Sequence, residues 1–317
     1  MQEKILITGA GGQLGSVLTM KLQEKFGVDH VIATDLYPKI GFRGHFETLD
    51  ATDYHKLESI VIKHSITQIY HLAAILSANG EKTPVKTWDL NMKTLINVLE
   101  ISRIQAINKV FYPSSIAVFG ANAPKDNTSQ DQFLLPSTIY GMSKVAGENW
   151  ANYYYTKYGL DVRSLRYPGV IGYETLPGGG TTDYAVDIFH KAIHNKPFEC
   201  FLSASSQLPM IYMEDAIRAT LELMEAPKQN ITIRSSYNIV GMSFTPNQLF
   251  LMIRKTYPKF TITYHPDFRQ EIADTWPNSI DDSHAVRDWS WSPKYDLESM
   301  TESMIKNLKL KLQFNKE

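Results

Sequence analysis

Cysteine is almost absent from this sequence: Cys200 stands alone among 317 residues. One thiol excludes an internal disulfide and a thiolate zinc cage, and with them the small scaffolds that depend on either. An excess of one charge is also lacking, since the formal net charge is −1 with 21% charged residues. That balance supplies no field for a polyanion, so nucleic acid is not an expected partner. No run of about eighteen apolar residues occurs, which leaves no candidate for a membrane-spanning helix. Met1-Gln2-Glu3-Lys4 passes directly into Ile5-Leu6-Ile7, without the longer apolar stretch and small-residue cleavage site of a secretory signal. A cytoplasmic protein is the expectation.

What is present is an ordinary apolar fraction of 43% on a chain long enough for one large domain or two intimately joined ones. Short apolar runs at 4–8, 30–34, 45–49, 68–72, 109–114 and 162–167 read as strands. Helical patterns lie between them at 13–26, 57–64, 90–103 and 139–157, with an irregular stretch around Gly41, Arg43 and Gly44. This alternation predicts an α/β fold with a doubly wound parallel sheet, of the Rossmann type. Beyond residue 168 glycine, proline and polar residues crowd 169–182, and the final third is rich in proline and tryptophan. We therefore expect a dinucleotide-binding domain over 1–168, to which later segments return, and a smaller interwoven region over 169–317 that is mainly substrate-binding. Lys306, Lys309, Lys311 and Lys316 among C-terminal leucines read as a solvated helix end.

Gly9-Ala10-Gly11-Gly12-Gln13-Leu14-Gly15 follows the first strand and opens the first helix. Gly9 allows a tight turn, Gly12 lets the backbone approach a pyrophosphate, and Gly15 lets the helix pack on the sheet. The helix start, with Gln13 and Leu14, then offers unpaired N–H groups and a positive dipole end to phosphate. Glycine clusters alone mark loops; the strand before and the helix after make this one a dinucleotide turn. Asp35, 20 residues beyond Gly15, ends the second strand. A carboxylate there accepts hydrogen bonds from an adenosine ribose and repels a 2′-phosphate. NAD is the expected cofactor, with Lys39 and Arg43 leaving some NADP use open.

Tyr140-Gly141-Met142-Ser143-Lys144 puts Tyr140 and Lys144 four apart on one helix face. A free phenol has a pKa of about 10 and is a poor base near neutrality. A nearby ammonium and an oxidised nicotinamide favour the phenolate, which then serves as general base for an alcohol proton. The spacing is common by accident, and its position is what gives it meaning. Ser115 lies 25 residues earlier in Tyr112-Pro113-Ser114-Ser115-Ile116-Ala117-Val118-Phe119-Gly120, at a strand end where doubly wound sheets gather reactive groups.

With His71-Leu72-Ala73-Ala74 between the glycine turn and that serine pair, the sequence resembles the extended short-chain dehydrogenase/reductase family. The resemblance implies a catalytic set of Ser115, Tyr140 and Lys144, with Ser114 lining the cofactor side. It implies that Leu72, Ala73 and Ala74 line the nicotinamide ribose and that Asp50 and Ala51 lie near adenine. Asn91 resembles the family asparagine on the helix behind the site, and Tyr167-Pro168 the segment under the nicotinamide.

Family members share this base and differ in substrate, so the second half carries the distinction. Leu165-Arg166-Tyr167-Pro168-Gly169-Val170-Ile171 is followed by Gly178-Gly179-Gly180-Thr181-Thr182-Asp183-Tyr184-Ala185. Together with Arg269-Gln270-Glu271-Ile272-Ala273-Asp274-Thr275-Trp276-Pro277-Asn278-Ser279-Ile280-Asp281-Asp282 these segments resemble the short-chain L-threonine 3-dehydrogenases. The glycines permit a turn whose N–H groups, with the Thr181 and Thr182 hydroxyls, suit a small carboxylate. Ser77 suits the carboxylate or the amine, residues 77–81 suit a lid, and Trp276 is either a wall over the substrate methyl or part of the core. The implied reaction oxidises L-threonine at its 3-hydroxyl to 2-amino-3-oxobutanoate without a metal. The resemblance also implies a homodimer built on the helices over 90–103 and 139–157, with Tyr153, Tyr154 and Tyr155 shared between core and interface.

Three rivals are weaker. A nucleotide-sugar epimerase or dehydratase retaining NAD needs a diphosphate clamp, which the scattered Arg218, Arg234, Arg254, Arg269 and Arg287 do not outline. A cofactor-sensing regulator would lack an intact Ser115, Tyr140 and Lys144. His190 and His194 have a zinc-compatible spacing but lack both the intervening glutamate of a metalloprotease helix and a cysteine-rich lobe, so no metal is expected.

Overall fold

The computed structural model describes residues 3–38, 42–176, 178 and 180–314; Met1, Gln2, Lys39, Gly41, Gly179 and Lys316, singled out above, lie outside this set. The first half runs β1 (Ile5–Thr8), α1 (Gln13–Phe26), β2 (Val31–Asp35), β3 (His45–Thr48), α2 (Tyr54–Lys63) and β4 (Gln68–His71). It continues with α3 (Ser77–Gly80), α4 (Pro84–Ile104), β5 (Lys109–Ser115), α5 (Ile139–Tyr158) and β6 (Val162–Tyr167). The second half runs β7 (Gly169–Ile171), α6 (Tyr184–Ile193), β8 (Phe198–Cys200), β9 (Leu208–Tyr212), α7 (Met213–Glu225) and β10 (Tyr237–Asn238). Then come β11 (Met242–Phe244), α8 (Pro246–Thr256), β12 (Ile262–Tyr264), α9 (Phe268–Ala273), α10 (Ser283–Trp289) and α11 (Leu297–Phe314).

Alternate residues of a strand point to opposite faces, and the inner strands are apolar at both. Ile5 and Ile7 of β1 join a core with Val17, Leu18 and Leu22 of α1 and Ala216, Ile217 and Leu223 of α7. Leu6, between them, joins Leu57, Ile60 and Val61 of α2 and Leu95, Val98 and Leu99 of α4. The seven-stranded sheet, ordered β10-β6-β5-β4-β1-β2-β3, is parallel at every pairing. This is the doubly wound Rossmann arrangement. The order reverses between β1 and β4, which opens a crevice beyond their C-terminal ends.

β10 adds to the outer edge of β6, and α7 and α10 share the core of α1. A third core holds the small β11-β9-β7 and β12-β8 sheets with α6, α8 and α11. Two helices start earlier than the periodicity alone indicates. Asp53 caps α2 by accepting from Lys56 N–H at 3.0 Å, and Pro84 opens α4, where its missing N–H costs nothing. The tyrosine triplet on α5 divides three ways: Tyr153 is exposed, Tyr154 is buried in the α4–α5 core, and Tyr155 lies under the Arg234 guanidinium. Lys311 is more than a solvated end, because its Nζ donates to the Tyr173 and Glu174 carbonyls at 2.9 and 2.8 Å. No described helix is long and apolar enough to cross a membrane.

Candidate active site

The glycine turn is built as its spacing requires. Gly9 has φ +73°, and a Cβ there would lie 2.7 Å from the Ala73 nitrogen. A Cβ on Gly15 would lie 2.1 Å from the Gly9 carbonyl oxygen, so α1 sits against the turn with no room for a side chain. No side chain caps the start of α1 at Gly12, so its first-turn N–H groups, those of Gln13 and Leu14 included, stay available to an anion. Asp35 orders the mouth of this cradle: Oδ2 accepts from Gly11 N–H at 2.8 Å and Oδ1 from Leu36 N–H at 2.7 Å. A carboxylate has about four lone-pair sites, so acceptors remain for ribose hydroxyls. The Asp50 Oδ1 takes the Thr52 N–H and hydroxyl, and the Ala51 carbonyl accepts from Asn97, close by at the end of β3. These features fit a dinucleotide with an unphosphorylated ribose.

The crevice continues past Leu72 and Ala74 to Ser114, Ser115, Tyr140, Lys144, Tyr167 and Pro168. Burial pushes the Tyr140 phenol up to about 12, against the opposing pull of the neighbouring Ser115 side chain. Lys144 Nζ donates to the Pro113 carbonyl at 2.6 Å and lies over the Tyr112 and Tyr140 rings, 4.6 and 5.4 Å from their centroids. Burial brings this ammonium down to about 7, against the opposing pull of Glu148. In the chain's own groups burial dominates both side chains, and the lysine bonds a carbonyl rather than the phenol.

Behind this pair lies a buried network that sequence reading passed over. Ser114 Oγ donates to Glu148 Oε1 at 2.6 Å, and Glu148 is paired with Arg166 through two bonds at 2.9 and 2.8 Å. Glu148 stands one turn beyond Lys144 on α5, and that i,i+4 spacing was its available signal. Ser114 thus turns its hydroxyl to Glu148, although the residue lines the crevice. Asn91 does not line it: its side chain bonds both backbone groups of Ile75 and the Ser143 hydroxyl. His71 accepts or donates to Thr8 Oγ1 at 2.8 Å, and burial brings its imidazole down to about 3, so it is neutral.

The far wall comes from the second half. Ser77, Gly180, Thr181, Thr182, Asp183 and Trp276 all line the same crevice, together with Gly169 and Val170. Thr181 is buried and its hydroxyl has no partner among the described residues. Trp276 is both wall and core, because its ring also packs with Ile272, Ala273 and Ile280. His190 and His194 are remote from this site; His194 Nδ1 contacts the His190 carbonyl at 2.7 Å.

Comparison with known proteins adds to this geometry. The model of the NAD dependent epimerase/dehydratase family matches residues 5–239. A relative from Staphylococcus haemolyticus, described as an uncharacterized epimerase/dehydratase, is 44% identical over 316 residues, 98% of this chain and 99% of its own length. The solved GalE-like L-threonine dehydrogenase from Cupriavidus necator, in its holo form, is 53% identical, with 96% of this chain and 99% of that one covered and a TM-score of 0.95. A monomeric L-threonine 3-dehydrogenase from a metagenome, in its apo form, is 47% identical, with coverage of 96% and 99% and a TM-score of 0.94. By sequence, by sheet order and by the cradle at Gly9, Gly12 and Gly15, this chain belongs to the NAD dependent epimerase/dehydratase family and is an NAD-dependent oxidoreductase.

Proposed function

We propose that this chain oxidises L-threonine at its 3-hydroxyl, giving 2-amino-3-oxobutanoate, with Tyr140 as general base. The observation that carries the reading is the lining of the crevice beyond Ser115 and Tyr140. Ser77, Thr181, Thr182 and Trp276 line it, and no arginine does. Hydroxyls and one indole suit a small zwitterion with a methyl group. A sugar nucleotide needs cations for its diphosphate, and the arginines of the second half are engaged elsewhere. Arg218 holds Asp215 and Glu222, Arg234 holds Asp161, Arg269 holds Asp267, Arg287 holds Asp288, and Arg254 donates to the Pro258 carbonyl.

In this reading the Tyr140 phenolate takes the proton of the 3-hydroxyl while Ser115 donates a hydrogen bond to the same oxygen. NAD, when bound, would supply the hydride acceptor for C3 and, in its oxidised form, a positive charge that favours the phenolate. Lys144 holds the nicotinamide ribose; its place over the Tyr140 ring adds a favourable charge without a direct bond to the hydroxyl. Gly9, Gly12, Gln13, Leu14 and Gly15 hold the pyrophosphate, Asp35 the ribose, and Asp50 and Ala51 the adenine side. Leu72, Ala73, Ala74, Tyr167 and Pro168 bed the nicotinamide. Asn91 acts through Ile75 by fixing the loop that contains these alanines.

We also propose a homodimer formed through α4 and α5, whose outer faces expose Val85, Trp88, Met142, Trp150, Tyr153 and Tyr158. Exposed apolar side chains on two adjacent helices suit an interaction face.

The test is NADH absorbance with NAD and L-threonine, beside L-serine, D-threonine and UDP-galactose. L-threonine should give the fastest NADH formation, and Tyr140→Phe should lower kcat about 10²–10⁴-fold. Conversion of UDP-galactose without net NADH would replace the threonine reading with an epimerase.

A further inference from the structure

The first four N–H groups of a helix have no acceptor within it. At α5, Gly141 N–H is taken by Thr138 Oγ1 at 3.1 Å, an ordinary local cap. Ile139 N–H, next to Tyr140, is taken by Glu81 Oε1 at 2.8 Å, from 58 residues earlier in the chain. Glu81 is exposed and follows α3, which also reaches toward the second half of the chain. Asn79 Nδ2 donates to the Gly178 carbonyl at 3.2 Å, on the loop that leads to Thr181 and Thr182. Between these two contacts, Thr87 Oγ1 donates to the Gly80 carbonyl at 3.1 Å and anchors α3 to α4.

The start of α5 has little slack on its other side. A Cβ on Gly141 would lie 2.2 Å from the Ala117 carbonyl oxygen, two residues beyond Ser115. The first turn of α5 is thus pressed against the segment that carries Ser115, and Glu81 holds it from outside. A shift of Ile139 moves Tyr140 relative to the Ser115 hydroxyl.

We infer that Glu81 is a positioning residue for Tyr140: by capping Ile139 it registers the phenol against Ser115, and through α3 it links that register to the loop carrying Gly178. The inference rests on the reading of Tyr140 as the base. It involves no substrate contact by Glu81 and no proton transfer through it. The glutamine variant keeps an acceptor oxygen at the same place, so the bond rather than the charge is the active feature.

The experiment compares Glu81→Ala, Glu81→Gln and Asn79→Ala by kinetics with NAD and L-threonine, and by amide hydrogen exchange of the Tyr140-bearing peptide without substrate. Glu81→Ala should lower kcat about 10-fold with KM for NAD unchanged, because small misplacements of a reacting group are costly. Its acid limb should move to higher pH, since a looser Ser115 bond stabilises the phenolate less. Glu81→Gln should stay within about 2-fold of wild type and keep Ile139 protected, whereas Glu81→Ala should lose that protection. Asn79→Ala should raise KM for L-threonine and, combined with Glu81→Ala, lower kcat no further than Glu81→Ala alone. Wild-type kcat and wild-type exchange in Glu81→Ala overturn the inference, as does equal impairment of Glu81→Gln. A wild-type chain that leaves L-threonine untouched overturns the proposed substrate instead, while the exchange data still decide whether Glu81 holds the start of α5.

Discussion

Burial drives Tyr140 and Lys144 toward their neutral forms, the phenol up to about 12 and the ammonium down to about 7. Each has one neighbour that resists: the Ser115 side chain favours the ionised phenol, and Glu148 favours the charged lysine. A base works when deprotonated, so activity rises with pH through the tyrosine ionisation in the working complex. Removing the Ser115 hydroxyl removes a group that lowers that ionisation. Ser115→Ala should therefore move the acid limb of kcat/KM to higher pH and lower the rate about 10²-fold at neutrality. A pH profile from 6 to about 10 checks this, and an unmoved acid limb would separate Ser115 from Tyr140. At this scale the meeting of Ser115, Tyr140 and Lys144 in one crevice was legible because their spacing follows one strand end and one helix face. Glu148, Arg166 and Glu81 were not, because ordinary polar residues reveal a role only through the partners they meet.

Elements rather than single side chains make the cofactor cradle. α1 must approach β1 closely enough that Gly15 leaves no space over the Gly9 carbonyl, whereas a Cβ on Gly12 would meet the same oxygen at 3.3 Å. Gly15→Ala should lower the melting temperature, with overpacking of about 1–3 kcal/mol, and weaken NADH binding about 10-fold or more. Gly12→Ala should keep the melting temperature near wild type and weaken NADH alone, because its methyl enters the phosphate side. Fluorescence titration and thermal unfolding of both variants test this, and equal loss of stability in the two would contradict the assigned roles. The elements of the first half were readable because buried parallel strands are short apolar runs with helices between them. The start of α4 was misjudged by six residues, from Leu90 to Pro84, because apolar periodicity outweighed the proline signal at the first helical position.

For the whole molecule, the outer face of α4 and α5 is the largest question that one chain poses. Trp150 meets Tyr153 edge-on and Tyr154 at a tilt, both at centroid distances of 5.9 Å, and Tyr153 meets Tyr158 edge-on at the same distance, so exposed Trp150, Tyr153 and Tyr158 form an outward aromatic ridge. Sedimentation should give twice the 36.0 kDa chain mass, and Tyr153→Glu should return it to one chain. A wild-type chain sedimenting at the mass of one chain would exclude the dimer and align it with its monomeric relative.

The sequence by itself determined the first half of the sheet with its glycine turn and Asp35, and singled out Ser115, Tyr140 and Lys144, which line one crevice. These follow from local periodicity and short fixed spacings, which need no knowledge of distant partners. Only the tertiary structure decided how the site is roofed and held. Asn79 meets Gly178 across 99 residues, Lys125 meets the Trp276 carbonyl across 151, and Tyr237–Asn238 returns to complete the sheet. Such contacts form because loops, small sheets and buried polar pairs are fixed by what they pack against, and no local pattern encodes that.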